Sequence, residues 1–109
     1  MDSIQEITET LVKFRNDRDW EQFHNPKDLA LALSVETSEL LEAFIWKTSE
    51  QANKEKVKEE LADVFAYAFL LAEKYGFSVK DIVAEKIEAN KLKYPVDKAK
   101  GTAKKYNEL

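Results

Sequence analysis

The sequence predicts an all-α protein, a single domain of four helices built round an antiparallel pair of long ones. Only two glycines and two prolines interrupt 109 residues, too few for a chain of short strands and turns. Apolar residues instead recur three and four apart over long stretches, which is the spacing of one helix face. Acidic residues add a third observation. Glu36 and Glu39 form an ExxE pair, Glu60 and Asp63 form an ExxD pair, and both share one midpoint, the polar stretch Thr48-Ser49-Glu50-Gln51. If the two helices fold back at that stretch, Glu36 comes level with Asp63 and Glu39 with Glu60.

The first helix is expected over about residues 3–16, with Ser3 offered as its cap and Ile4, Ile7, Leu11 and Phe14 on one face. RNDRDWEQFHNP then reads as a connector anchored by Trp20 and Phe23. Pro26 suits the first turn of a second helix, expected to run to about Lys47. Its inner stripe holds Leu29, Ala32, Leu33, Glu36, Glu39, Leu40, Ala43 and Trp46. The third helix is expected from about Asn53 to Tyr75 and stops at Gly76. Val57, Glu60, Leu61, Val64, Ala68 and Leu71 form its inner stripe, with Asp63 and Tyr67 beside it. The fourth starts at Ser78, has Asp81 three residues on as an incomplete capping box, and ends by Pro95. Residues 96–109 form a polar tail expected to be loosely ordered.

Composition narrows the function. A formal charge of −4 gives no reason to expect a nucleic-acid polymer as partner. There is no cysteine, hence no disulfide framework and no thiol chemistry. MDSIQEITET has no apolar run of signal-peptide length, and no stretch approaches the ~18 apolar residues of a membrane span, so a cytoplasmic protein without a membrane partner is expected. A chain of this size buries only roughly 65% of its unfolded surface, so another copy is expected to complete its exposed apolar faces.

A single ExxE pair is ordinary on a helix, where glutamates are mostly solvated or paired with lysine. Here both pairs lie on or beside apolar stripes and come into register across the hairpin. Four clustered carboxylates repel one another unless a cation neutralises them, and hard oxygen ligands favour Mg²⁺. Glu42 extends the first pair by a turn and is placed for an outer or water-mediated role. Glu59 turns about 100° away from Glu60 and is expected to be solvated. The alternative is a helical interaction module without enzymatic activity, which would bind no Mg²⁺ at millimolar concentration. His24, the only histidine, sits in the connector and reads as a capping or surface residue.

ETSELLE, EELADVFAYAFLLAEKYG and EKIEANKLKYP, in this order and spacing, resemble the all-α nucleotide pyrophosphohydrolases of the MazG type. RDWEQFHNPKDLALAL and FIWK narrow the resemblance to the small dCTP pyrophosphatase branch, and the tail KKYNEL is similar to that branch as well. The resemblance implies a four-helix bundle over residues 1–95, assembled as a homodimer or a dimer of dimers. It implies Mg²⁺ held by Glu36, Glu39, Glu60 and Asp63, with Glu39 preferred as the base. Lys86, Asn90, Lys93 and Tyr94 match positions that reach the substrate phosphates and sugar. Trp20 and Trp46 match residues that enclose the base, although either could serve as a core or dimer anchor. The implied reaction is hydrolysis of a nucleoside triphosphate to the monophosphate and pyrophosphate. dCTP or a modified dCTP is the expected substrate and nucleotide-pool house-cleaning the expected role. A purine or broad deoxynucleotide range is the alternative. Three positions depart from the pattern. Val35 precedes Glu36 where the broader family has a glutamate doublet. Lys93 stands where arginine is frequent, which keeps the charge but loses the bidentate fork. Leu11 stands where a vertebrate relative has a polar base contact.

Overall fold

The structure, a computed structural model, describes residues 1–109, and every regular element in it is helical. It comprises two compact units, Met1–Phe77 and Ser78–Leu109.

In the first unit, α1 spans Ser3–Asp17. Its cap is Asp2 rather than Ser3. The Gln5 amide donates to Asp2 Oδ1 at 2.7 Å, and the Asp2 amide donates back to Gln5 Oε1 at 3.1 Å. The helix ends with Asp19 in the left-handed region (φ 56°), where the Asp19 amide bonds the Asn16 carbonyl and the Trp20 amide bonds the Arg15 carbonyl, both at 3.0 Å. This paired closure turns the chain back, so Trp20 meets Phe14 edge-on with ring centroids 5.7 Å apart. The connector contains one tight helical turn, Glu21–Phe23, tied to α3 by Lys74 Nζ donating to Glu21 Oε1 at 3.3 Å.

α2 spans Pro26–Glu42, with Asn25 accepting from the Asp28 amide at 2.9 Å. Its half-buried and buried positions follow the expected stripe from Leu29, the best-buried side chain at 1% exposure, through Glu36 and Glu39 to Ala43. The helix stops five residues before the expected Lys47. Beyond Leu41 the ladder tightens: the Phe44, Ile45 and Lys47 amides bond carbonyls three residues back, and Trp46 adopts φ 63°. Phe, Ile and Trp are poor helix formers, and a left-handed residue cannot continue a right-handed helix. Trp46 therefore leaves the inner stripe and stands in solvent at 98% exposure.

The hairpin turn is Ser49–Gln51, closed when the Thr48 amide donates to Gln51 Oε1 at 2.8 Å. α3 spans Lys54–Lys74, and Asn53 caps it by accepting from the Lys56 amide at 3.1 Å. α2 and α3 form the principal helix pair, and α1 packs on α3. Leu61, expected inside, is 39% exposed. Gly76 ends α3 as expected. It has φ 70°, the Gly76 amide bonds Glu73 and the Phe77 amide bonds Ala72, both at 3.0 Å. A Cβ at Gly76 would meet nothing within 4 Å. Gly76→Ala is therefore expected to lower stability by about 1–2 kcal/mol through backbone conformation alone. Urea unfolding with an unchanged m-value checks this, and an unaltered midpoint would refute it.

In the second unit, α4 spans Val79–Lys93, with Ser78 Oγ accepting from the Asp81 amide at 3.2 Å. Pro95 follows, then the four-residue α5, Val96–Ala99, and a turn at Tyr106–Glu108. Residues 96–109 thus carry a short helix and a terminal turn. Tyr106 comes back to Tyr94, edge-on at 6.2 Å, and the Lys93 ammonium lies 4.9 Å from the Tyr106 ring centre.

Candidate metal centre and adjoining cavity

Glu36 on α2 and Glu60 and Asp63 on α3 each place a carboxylate oxygen within 4.8 Å of the others. Helical spacing explains why. Residues three and four apart share a face, and the hairpin sets the two faces against each other. Glu39 is outside this mutually close trio, but its carboxyl is within hydrogen-bonding reach of both Glu36 and Glu60. Glu42 and Glu59 are exposed and are not among the three clustered acids.

The cluster is electrostatically crowded. Glu60 is buried, 6% exposed, and Lys56 Nζ donates to its Oε1 at 2.7 Å. This ion pair, more than its other neighbours, holds the Glu60 carboxyl below its ordinary range. Glu36 has no cationic partner. Burial first, then a shared hydrogen bond with Glu39, then the charges of Glu39, Asp63 and Glu60 push it up to about 7. Glu36 Oε2 and Glu60 Oε2 are buried and accept no hydrogen bond from the protein. Buried carboxylate oxygens without donors are costly, and a cation is the partner that satisfies both at once.

Asp63 also borders a cavity of about 300 Å³ enclosed by α1, the connector and α3. Leu11, Phe14, Trp20, Ala66 and Leu70 give it apolar walls, and Arg15, His24, Tyr67 and Asp63 give it polar groups. The Arg18 guanidinium stacks 3.7 Å from the Phe14 ring centre and stiffens one wall. Tyr67 is half-buried, and burial, then the charges of Glu36, Asp63 and Glu39, raises its phenol, so it stays a hydrogen-bond donor. His24 is not the surface residue expected. It is half-buried, edge-on to Tyr67 at 6.4 Å, with Nδ1 buried and unpartnered. Burial, then the charges of Arg15 and Lys74, lowers it, so it is neutral at pH 7.

The candidate residues are thus distributed unevenly. Glu36, Glu39, Glu60 and Asp63 meet in the first unit, and Trp20 lines the cavity beside them. Trp46 is not among the cavity residues. On α4, Lys86 and Lys93 are exposed and Asn90 is its half-buried polar residue, with Tyr94 at the helix end. Sequence reasoning missed Arg15 and the inward turn of His24. Arg15 follows Leu11 by four residues and so shares its inner face, a signal that was available.

Facing helices that bring three carboxylates together beside a largely apolar cavity define a helical protein with an acidic cluster of metal-binding geometry. The chain belongs to the MazG-like family, whose model matches residues 31–109. It is similar to dCTP pyrophosphatase 1 of Mus musculus, 36% identical over 115 residues that cover 98% of this chain and 68% of that protein. The Homo sapiens protein of the same name is 35% identical with the same coverage. Among solved structures, a pyrophosphatase from Archaeoglobus fulgidus matches with a TM-score of 0.80 and 35% identity, covering 87% of this chain and 94% of that one. The resemblance drawn from the five sequence segments is confirmed in the family and in these relatives. No helix is long and apolar enough to cross a membrane.

Proposed function

We propose that this protein hydrolyses a nucleoside triphosphate between its α- and β-phosphates, releasing a monophosphate and pyrophosphate, with dCTP or a modified dCTP preferred. The enzyme class follows from the relatives, two of them dCTP pyrophosphatases and one a pyrophosphatase of the same fold. The observation that carries the reading is the pairing of an acidic cluster with an apolar cavity through one residue, Asp63.

Glu36, Glu39, Glu60 and Asp63 would hold Mg²⁺. The fit rests on the two buried, unpartnered oxygens and on a donor set made wholly of carboxylates. When bound, Mg²⁺ supplies neutralisation of phosphate charge and activation of water. The chain's own groups do the rest. Glu39 is the proposed acceptor of the attacking water's proton, since it borders the cluster without belonging to its tightest group. Lys86, Asn90, Lys93 and Tyr94 are proposed to hold the phosphates and sugar. The apolar walls around Trp20 exclude water and take the flat face of the base, a kind of contact worth roughly 1–3 kcal/mol per base in single-strand systems.

The bare chain leaves Trp46 and much of α4's apolar surface uncovered, including Val83, Ile87 and Leu92. That surface supports assembly as a homodimer or dimer of dimers, with Trp46 of one copy closing a base site on another. Cytoplasmic house-cleaning of the nucleotide pool is the proposed role.

A panel of nucleoside triphosphates with Mg²⁺, scored separately for pyrophosphate and phosphate release, tests the reaction. Pyrophosphate is expected, with dCTP among the best substrates. Lys86→Ala is expected to weaken triphosphate binding by about tenfold and leave nucleoside binding unchanged, as for a lost charge-assisted contact. Release of phosphate alone, or no release from any triphosphate, would overturn the assignment.

A further inference from the structure

Arg15 is the best-buried charged side chain in the protein, at 3% exposure, yet it lines the cavity rather than the packed core. A guanidinium is rarely buried without a purpose for its donors, since each unpaired N–H is costly in an apolar setting. Arg15 has a partial set of partners. Nε donates to Asn16 Oδ1 at 3.1 Å, and Nη1 donates to Glu73 Oε2 at 3.3 Å. A guanidinium carries five N–H donors and no acceptor, so these bonds leave donors unused. The same contacts fix its plane. Leu11, Phe14, Trp20 and Leu70 in the same cavity wall offer these donors no acceptor, and neither Asp63, His24 nor Tyr67 is hydrogen-bonded to Arg15. His24 keeps a buried nitrogen, Nδ1, without a partner beside the same cavity.

We propose that Arg15 is a specificity-determining residue that reads the hydrogen-bonding edge of the base, selecting cytosine over uracil or thymine. This deepens the proposed function and rests on it. Cytosine presents two adjacent acceptors, O2 and ring nitrogen N3, which match a donor-only fork. In uracil and thymine, N3 carries a hydrogen, so the fork would meet a donor where it needs an acceptor. A bidentate arginine contact of this kind separates right from wrong bases by about 5- to 150-fold. A lysine would keep the charge but not the fork. The cavity, about 300 Å³, is at the small end for a ligand pocket and suits a single-ring base.

Steady-state kinetics with dCTP and dUTP on the full-length protein decide the matter. The wild-type protein is expected to favour dCTP in kcat/KM by about tenfold or more. Arg15→Met fills the same space without donors. It should bring the two substrates to within about threefold, through a raised KM for dCTP, while saturated turnover of dUTP persists. Arg15→Lys should give the same loss of preference and serves if Arg15→Met does not fold. Glu73→Gln keeps an acceptor for Arg15 and should keep the preference. A folded Arg15→Met or Arg15→Lys variant that discriminates as the wild type does would show that Arg15 only ties α1 to α3, and would overturn the proposal. Wild-type turnover of both substrates without preference would overturn it too, while leaving the pyrophosphohydrolase reading intact. Absence of pyrophosphate release from every triphosphate would instead overturn that underlying reading.

Discussion

Asp63→Asn is expected to lower turnover by about a hundredfold or more while leaving the helices intact, a loss in the range seen when one electrostatic group of an active site is removed. The substitution keeps size and shape and removes one charge. Asp63 is the residue where that charge matters most. Its carboxylate belongs to the trio within 4.8 Å, and it also borders the cavity proposed for the base. It is exposed, so neutralising it costs no buried contact and folding is expected to survive. The metal-free variant should in fact be slightly more stable, because one repulsive neighbour of Glu36 is gone. Pyrophosphate release at saturating Mg²⁺, with far-ultraviolet circular dichroism as the fold control, measures this. Wild-type turnover in a folded Asp63→Asn protein would remove Asp63 from the proposed centre.

Millimolar Mg²⁺ is expected to raise the thermal midpoint by roughly 10 °C at pH 8 if the ion is present at about a hundred times its dissociation constant. At pH 5.5 the rise should be much smaller. Glu36 supplies the reason, since its carboxyl titrates at about 7 in the folded chain against an ordinary value of 4.5. Between those values the folded protein holds a proton that the unfolded chain has released. Stability without metal therefore falls as pH climbs from 4.5 to about 7, and stays lowered above that. Glu60 acts in the opposite sense. Lys56 depresses it, so its contribution is present above its ordinary value and is lost only on acidification below 4.5. Scanning thermal melts across pH 5–8, with and without Mg²⁺, separate the two effects. Glu36→Gln should flatten the decline in the metal-free protein. A metal-free midpoint that rises between pH 5 and 7 in the wild type, or a Mg²⁺ effect independent of pH, would contradict this account.

The helices and the register of the acids were legible in the sequence, because both are local or nearly so. Three- and four-residue spacing sets which side of a helix faces inward, Pro26 and Gly76 punctuate the chain, and a short polar turn fixes how α2 and α3 align. Once that alignment holds, Glu36, Glu60 and Asp63 have to meet. The family resemblance was legible too, since it rests on order and spacing of residues. Other features depended on tertiary structure. The end of α2 was set by competition between an amphipathic pattern and the poor helix-forming run Phe44-Ile45-Trp46, which periodicity alone overrates. The cavity arises where α1's closing turn folds Trp20 back over Phe14, and no spacing rule states that an aspartate will take the left-handed conformation this requires. Burial of Arg15 and His24 follows from the same fold-back. A charged or polar residue is read as exposed until the chain wraps round it, and whether it does depends on contacts between residues as far apart as Arg15 and Glu73. Sequence pattern by itself determined the acids and the hairpin that gathers them, because helix periodicity is a local property. Tertiary packing alone decided the cavity and the groups that face it, because burial is a property of the whole fold.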